Sequence, residues 1–116
     1  MVTSPGSFIP ERCDIIWIEM NPQSGHEQAG RRPALVLSPA HYNGRTGLAL
    51  LCPVTNQSKG YPFEVALPSD AGATGVVLAD QVRCLDWRAR KGAPCGRVAS
   101  GVVDDVVAKL STLLTA

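Results

Sequence analysis

The amino-acid sequence predicts a mainly β (α+β) domain: a small barrel of short strands followed by one C-terminal helix. Short apolar runs rich in β-branched residues recur along the chain with Gly, Pro, Asn or Ser between them, the pattern of a small β unit. The three-and-four apolar spacing of a helix is clear only at the C-terminus. The chain has 116 residues, 45% of them apolar and 18% charged, which suits one buried core and leaves no room for a second domain.

The first strand is expected in "CDIIWIEM" (13–20), closed by a turn at Asn21-Pro22. A charged loop, "SGHEQAGRR", precedes the second strand, "PALVLS" (33–38), which Pro39 ends. The third, "LALLCPV" (48–54), contains a proline. Because proline has no N–H for the ladder, that strand is expected to bend or to lie at an edge there. "FEVAL" (63–67) and "GVVLADQVRCLDW" (75–87) continue the strand pattern. In "SGVVDDVVAKLSTLLTA" the residues Val103, Val106, Val107, Leu110, Leu113 and Leu114 form one stripe, expected to pack on the barrel. Ser100 is the expected N-cap, and Asp104 and Asp105 fall near the positive end of the helix dipole. Residues 1–11 read as an N-terminal tail and 12–116 as a single domain.

No apolar run approaches the roughly 20 residues of a membrane helix, and no secretory signal precedes Cys13, so a cytoplasmic protein is expected. Cys13, Cys52, Cys84 and Cys95 lack C-x-x-C spacing and are accompanied only by His26 and His41. Free, buried thiols are expected rather than disulfides or zinc ligands, with no metal and no cofactor. The net charge is +1, yet it is distributed unevenly. Residues 21–63 carry Arg31, Arg32, Arg45 and Lys59 against Glu27, a surplus of three. Residues 81–97 carry Arg83, Arg88, Arg90, Lys91 and Arg97 against Asp86, a surplus of four. If these segments meet in the fold they make a positive face suited to a polyanion. Composition alone fits scattered surface arginines equally well.

The residues resemble the MazF/PemK toxins of bacterial toxin–antitoxin systems. "CDIIW", "GHEQAGRRPALVLSP", "YNGRTG", "CPVTNQSKGYPFEV" and "VVLADQVRCLDWRAR" follow one another in family order, with a C-terminal helix after them. Two departures stand out: Cys13 occupies a position that is often glycine in the family, and Arg31 stands where some relatives have histidine. The resemblance implies an SH3-like barrel of the MazF/CcdB/Kid kind and a sequence-specific, metal-independent endoribonuclease acting on single-stranded RNA. It further implies a homodimer, with no membrane association, and a cognate antitoxin whose flexible, acidic segment covers the RNA groove. Two rival functions are a CcdB-like gyrase poison and a non-catalytic SH3-like binding module. The first lacks its aromatic tail here, since the chain ends "STLLTA".

Cutting RNA without metal is done most directly by the 2′-hydroxyl attacking the adjacent phosphorus. The products are a 2′,3′-cyclic phosphate and a 5′-hydroxyl. A base must take the 2′ proton, a cation must stabilise the phosphoryl oxygens, and an acid must protonate the leaving oxygen. Arg32, just ahead of the strand that begins at Pro33, suits the cationic role because a guanidinium donates two parallel hydrogen bonds to a phosphate. The resemblance supports Thr55 as the second catalytic residue. Glu27 fits either the base or a residue that orients Arg32, and the two nearby arginines oppose a raised pKa.

The remaining candidates are assigned to RNA binding. Asn56, Gln57, Ser58 and Lys59 offer amides, a hydroxyl and a point charge for phosphates and base edges. Asp80 and Gln81 contribute from a strand end, and Gln28 and Arg31 from the charged loop. His26 titrates near neutrality, although a lone loop histidine is more often incidental. Arg83, Arg88 and Arg90 add to the positive face. Trp87 and Tyr61 are aromatic enough to stack on a base, but packing in a core or a dimer is the simpler role for both.

Overall fold

The computed structural model describes residues 8–20 and 30–115. The charged loop with His26, Glu27 and Gln28, and the Asn21-Pro22 turn, lie outside the described residues. In chain order the elements are β1 (Asp14–Glu19), β2 (Arg31–Val36), α1 (Ala40–Thr46), β3 (Leu48–Thr55), β4 (Glu64–Ala66), β5 (Val76–Leu78), a 3-10 turn (Ala79–Gln81), β6 (Arg83–Asp86), β7 (Ala93–Arg97) and α2 (Ser100–Leu114).

All pairings are antiparallel, in the order β4-β5-β3-β2-β1-β7, with β6 also on β3. The path is open from β4 to β7, so the expected barrel exists only loosely. β3 is the hub. Leu48–Leu51 pair with β6, whereas Val54 and Thr55 pair with β5, and Pro53 falls between the two partners. The strand is therefore central rather than an edge, and its proline sits where the ladder on that side changes hands.

Two apolar clusters explain why β1 and β2 read as unbroken apolar runs. Ile15, Leu35, Cys52, Val54 and Val77 form one, capped by Val103 and Val106 of α2. Ile16, Ile18, Ala34, Val36, Leu51 and Trp87 form the other. Successive strand residues point to opposite faces, and here both faces are covered.

Several expectations are corrected. The stretch 75–87 is two short strands broken by the 3-10 turn, so Asp80 and Gln81 sit on a turn rather than a strand end. β7 and α1 were not foreseen as elements. α1 is polar and short, held by tertiary hydrogen bonds: the buried Asn43 donates to the carbonyls of Pro10 and Ser38 and accepts from the Ser38 hydroxyl. Gly47, at φ +75, ends it in the left-handed conformation and donates its N–H to the Asn43 carbonyl. Residues 8–11 are docked rather than tail-like, with Pro10 buried and Phe8 edge-on to Trp87 at 6.0 Å.

In α2 the N-cap position is Ala99, Ser100 is the first helical residue, and the first turn holds no acid, so Asp104 and Asp105 lie one turn too far in for the dipole role. Only part of its stripe packs: Val103 and Val106 are buried, while Val107, Leu113 and Leu114 are exposed, Leu114 at 74%. The four cysteines are free, but only Cys13 and Cys52 are buried, and Cys84 is exposed. Cys13 has φ +81, a conformation that glycine adopts without strain. No helix among the described residues is long and apolar enough to cross a membrane.

Candidate functional site

Arg32 is not in a loop ahead of the second strand; it is the second residue of β2, paired with Ile18 of β1. That places its backbone on a rigid ladder. Thr55 ends β3, opposite Val76 of β5. The two residues line one cavity of about 270 Å3 with Met20, Pro53, Gln81 and Arg83. Residues from β2, β3, the 3-10 turn and β6 thus converge at the point where β3 changes partner.

Thr55 makes the turn contact that its sequence setting suggests, because its Oγ accepts the backbone N–H of Gln57 at 3.1 Å. A hydroxyl that accepts in this way keeps its own hydrogen to donate, so the turn bond orients Thr55 without consuming it as a donor. The strand is further pinned from behind by Gly75, whose φ of +114 lets the β5 backbone pass directly against the Thr55 carbonyl.

A second cavity, of about 540 Å3, adjoins the first and shares Thr55, Leu78 and Gln81 with it. Gln57, Lys59, Tyr61, Glu64 and Asp80 complete much of its wall. The loop that carries Lys59 and Tyr61 is tied to Glu64, which accepts from the Ser58 hydroxyl at 2.7 Å and the Lys59 N–H at 2.9 Å. These donors, the Lys59 amide first, hold the Glu64 carboxyl below its usual pKa. Lys109 of α2 ties the same loop by donating to the Pro62 carbonyl at 2.8 Å. Tyr61 donates its hydroxyl to Asp80 Oδ2 at 2.9 Å, and that bond raises its pKa.

Of the residues singled out from sequence, Arg32, Thr55, Gln57, Lys59, Asp80, Gln81 and Arg83 line these two cavities. Asn56 accepts from the Thr74 hydroxyl and Ser58 is held by Glu64. Three arginines are engaged elsewhere. Arg31 donates to the Lys91 carbonyl, on the opposite side of β2 from Arg32. Arg88 donates to the Gly44 carbonyl and lies over the Trp87 ring at 4.8 Å. Arg90 donates to the carbonyls of Glu19 and Met20. Trp87 is a core residue, its indole N–H donating to the Asn43 carbonyl, whereas Tyr61 is 47% exposed and belongs to the cavity rather than a core.

Sequence reasoning missed Glu64 as the anchor of the loop and favoured core or dimer packing over base stacking for Tyr61, which lines the cavity. The signal for both was in "SKGYPFEV": an aromatic between Gly60 and Pro62 sits in a turn, and turns run over the surface.

An open β scaffold brings a guanidinium, a hydroxyl and an amide to one cavity, a set of donors suited to a phosphate-bearing ligand. The family model for PemK-like, MazF-like toxins of type II toxin–antitoxin systems matches residues 11–114. The chain is 49% identical over 107 residues to the endoribonuclease toxin MazF of Escherichia coli (strain K12), covering 92% of this chain and 96% of that one. Among solved structures, MazF (Form-I) from Deinococcus radiodurans superposes with a TM-score of 0.84 at 53% identity, covering 92% and 97% of the two chains. A MazE-MazF structure (Form-II) from the same organism gives 0.81 at 48%, covering 92% and 96%. The chain belongs to the PemK-like, MazF-like toxin family.

Proposed function

We propose that this chain is a sequence-specific endoribonuclease toxin that cuts single-stranded RNA by making the ribose attack its own backbone. The 2′-oxygen bonds to phosphorus, the P–O5′ bond breaks, the 2′ proton leaves to a base and the 5′-oxygen gains one. Arg32 stabilises the charge that grows on the phosphoryl oxygens, Thr55 donates its hydroxyl to the same phosphate, and Arg83 adds a second guanidinium. No metal takes part. Glu27 acts as the base or as the residue that orients Arg32, and Asn56, Gln57, Ser58, Lys59, Asp80 and Gln81 bind the strand on either side. Arg31 and Arg88, with their side chains hydrogen-bonded outside the cavities, contribute to the surrounding positive field, and His26 and Gln28 of the charged loop contact the RNA.

The observation that carries this assignment is the convergence of Arg32 and Thr55, far apart in the chain, on one cavity. The 49% identity to a protein named as an endoribonuclease toxin supports it. The active form is a cytoplasmic homodimer, and an antitoxin segment rich in acidic residues neutralises it by competing with RNA for Arg32 and Arg83.

The test is incubation of the purified protein with a long single-stranded RNA in EDTA, followed by analysis of the product ends. Cleavage at a short recurring word, with 2′,3′-cyclic phosphate and 5′-hydroxyl ends, is expected. Intact RNA, or ends carrying a 5′-phosphate, would overturn the assignment.

A further inference from the structure

We propose that the larger cavity is a nucleobase subsite, in which Tyr61 stacks on an unpaired base next to the cleaved bond and Asp80 selects a base bearing an exocyclic amino group. The inference rests on the endoribonuclease assignment above. The cavity shares Thr55 and Gln81 with the one that holds Arg32, so a strand whose phosphate sits between Arg32 and Thr55 lays its adjoining base there.

Tyr61 has the properties of a stacking platform. The residue is 47% exposed, and Phe63 supports its ring at 5.7 Å with a tilt of 49°. Its loop is fixed at Glu64 and Lys109. A ring supported by a neighbour and half open to solvent offers a base an apolar surface at little entropic cost.

Asp80 is the unusual member of the wall. A carboxylate in a groove meant for a polyanion weakens binding unless it meets a donor, and the donors an unpaired base carries are its exocyclic amino groups and, in guanine and uracil, a ring N–H. Asp80 accepts a single hydrogen bond at the cavity wall, from a side chain that a base can displace. Oδ2 accepts from the Tyr61 hydroxyl, while Oδ1 is shielded from solvent and has no hydrogen-bond partner among the described residues. The oxygen that a base in the cavity meets is Oδ2, the one the Tyr61 hydroxyl occupies. The Tyr61 hydroxyl holds the place of the base's amino group in the free protein and turns aside as the base enters. Adenine, cytosine and guanine supply an exocyclic amino donor; the single donor of uracil, its ring N3–H, lies between two carbonyl oxygens that a carboxylate repels, so uracil is disfavoured.

Sequencing of the 5′-hydroxyl ends produced from a long RNA by the wild type and by Asp80→Asn tests this. The wild type is expected to reject uracil by about tenfold at one position beside the cut, and Asp80→Asn, whose amide adds a donor, to lose that rejection. Binding of a 2′-O-methyl RNA, which cannot be cut, gives a readout independent of catalysis. Tyr61→Ala is expected to weaken it by about tenfold and Tyr61→Phe to restore most of that loss.

An unchanged word in Asp80→Asn, or Tyr61→Phe binding as weakly as Tyr61→Ala, overturns the subsite while leaving the nuclease standing. A wild type that cuts no RNA overturns both. Should Asp80→Asn fail to fold, the wild type alone decides, because tolerance of uracil at every position adjoining the cut is incompatible with the proposal.

Discussion

Gly75→Ala is a perturbation at a residue that touches no ligand, and its effect on the site follows from the backbone geometry. An added Cβ would lie 2.1 Å from the Thr55 carbonyl oxygen and 2.8 Å from its carbon. Even to reach 3.0 Å, Thr55 must retreat by about 1 Å. The φ of +114 adds strain of roughly 1–3 kcal/mol for a residue with a side chain. A misplacement of about 1 Å in a catalytic group costs on the order of 100-fold in rate. Gly75→Ala is therefore expected to lose more stability than the roughly 1–3 kcal/mol of φ strain, because a backbone clash adds to it, and, where it still folds, to cut RNA about 100-fold more slowly in single-turnover assays. Gly101, which has nothing within 4 Å of its added Cβ, is the control, and Gly101→Ala should change the cleavage rate little. A folded Gly75→Ala protein that cuts at the wild-type rate would refute the claim that the Thr55 position is set by this contact.

Thiol chemistry and pH give two further outcomes. Under native conditions iodoacetamide should label the exposed Cys84 first and spare Cys52, whose thiol burial, aided by nearby Asp80, pushes its pKa up to about 12; peptide mass mapping reads the order. The lowered pKa of Glu64 means that its contribution to loop stability is present above the ordinary value of 4.5 and is lost as the pH falls through the folded-state value. The melting temperatures of the wild type and Glu64→Gln should accordingly differ at neutral pH and converge in acid, and a gap that stays constant down to pH 3 would contradict the assigned role.

The fold was legible where periodicity is strong. β1, β2, β3 and α2 announce themselves as apolar runs or an apolar stripe, because burial on one or both faces demands those residues at those intervals. α1 was illegible because its stability comes from hydrogen bonds between its own Asn43 and Pro10, Ser38 and Trp87 outside the helix, and nothing in "AHYNGRT" carries an apolar stripe. β7, "APCGR", contains a proline and a glycine, and it pairs with β1 across a register shift at Ile15/Ile16 that no local pattern reveals. The loss of Leu113 and Leu114 from the packed stripe has the same origin, since a stripe states which face is apolar and not how much of the helix has a neighbour.

In the site, the types of residue were readable and their depth was not. Arg32 and Arg31 are adjacent in sequence, yet strand alternation sends one into the cavity and the other to the Lys91 carbonyl. Placing Arg32 before the strand concealed that alternation. Arg88 and Arg90 read as surface cations suited to a polyanion, but both guanidiniums donate to backbone carbonyls of the same chain. Such long-range bonds leave no trace in composition.

The most direct test of the account is the single-turnover cleavage rate of Arg32→Ala, Thr55→Ala and the double variant, each checked for folding by circular dichroism. Each single change should slow cleavage about 100- to 1000-fold, and the double variant should be little slower than the slower single, because both groups serve one phosphate as a unit. Near wild-type cutting by either folded single variant, or losses that simply multiply in the double, would contradict it.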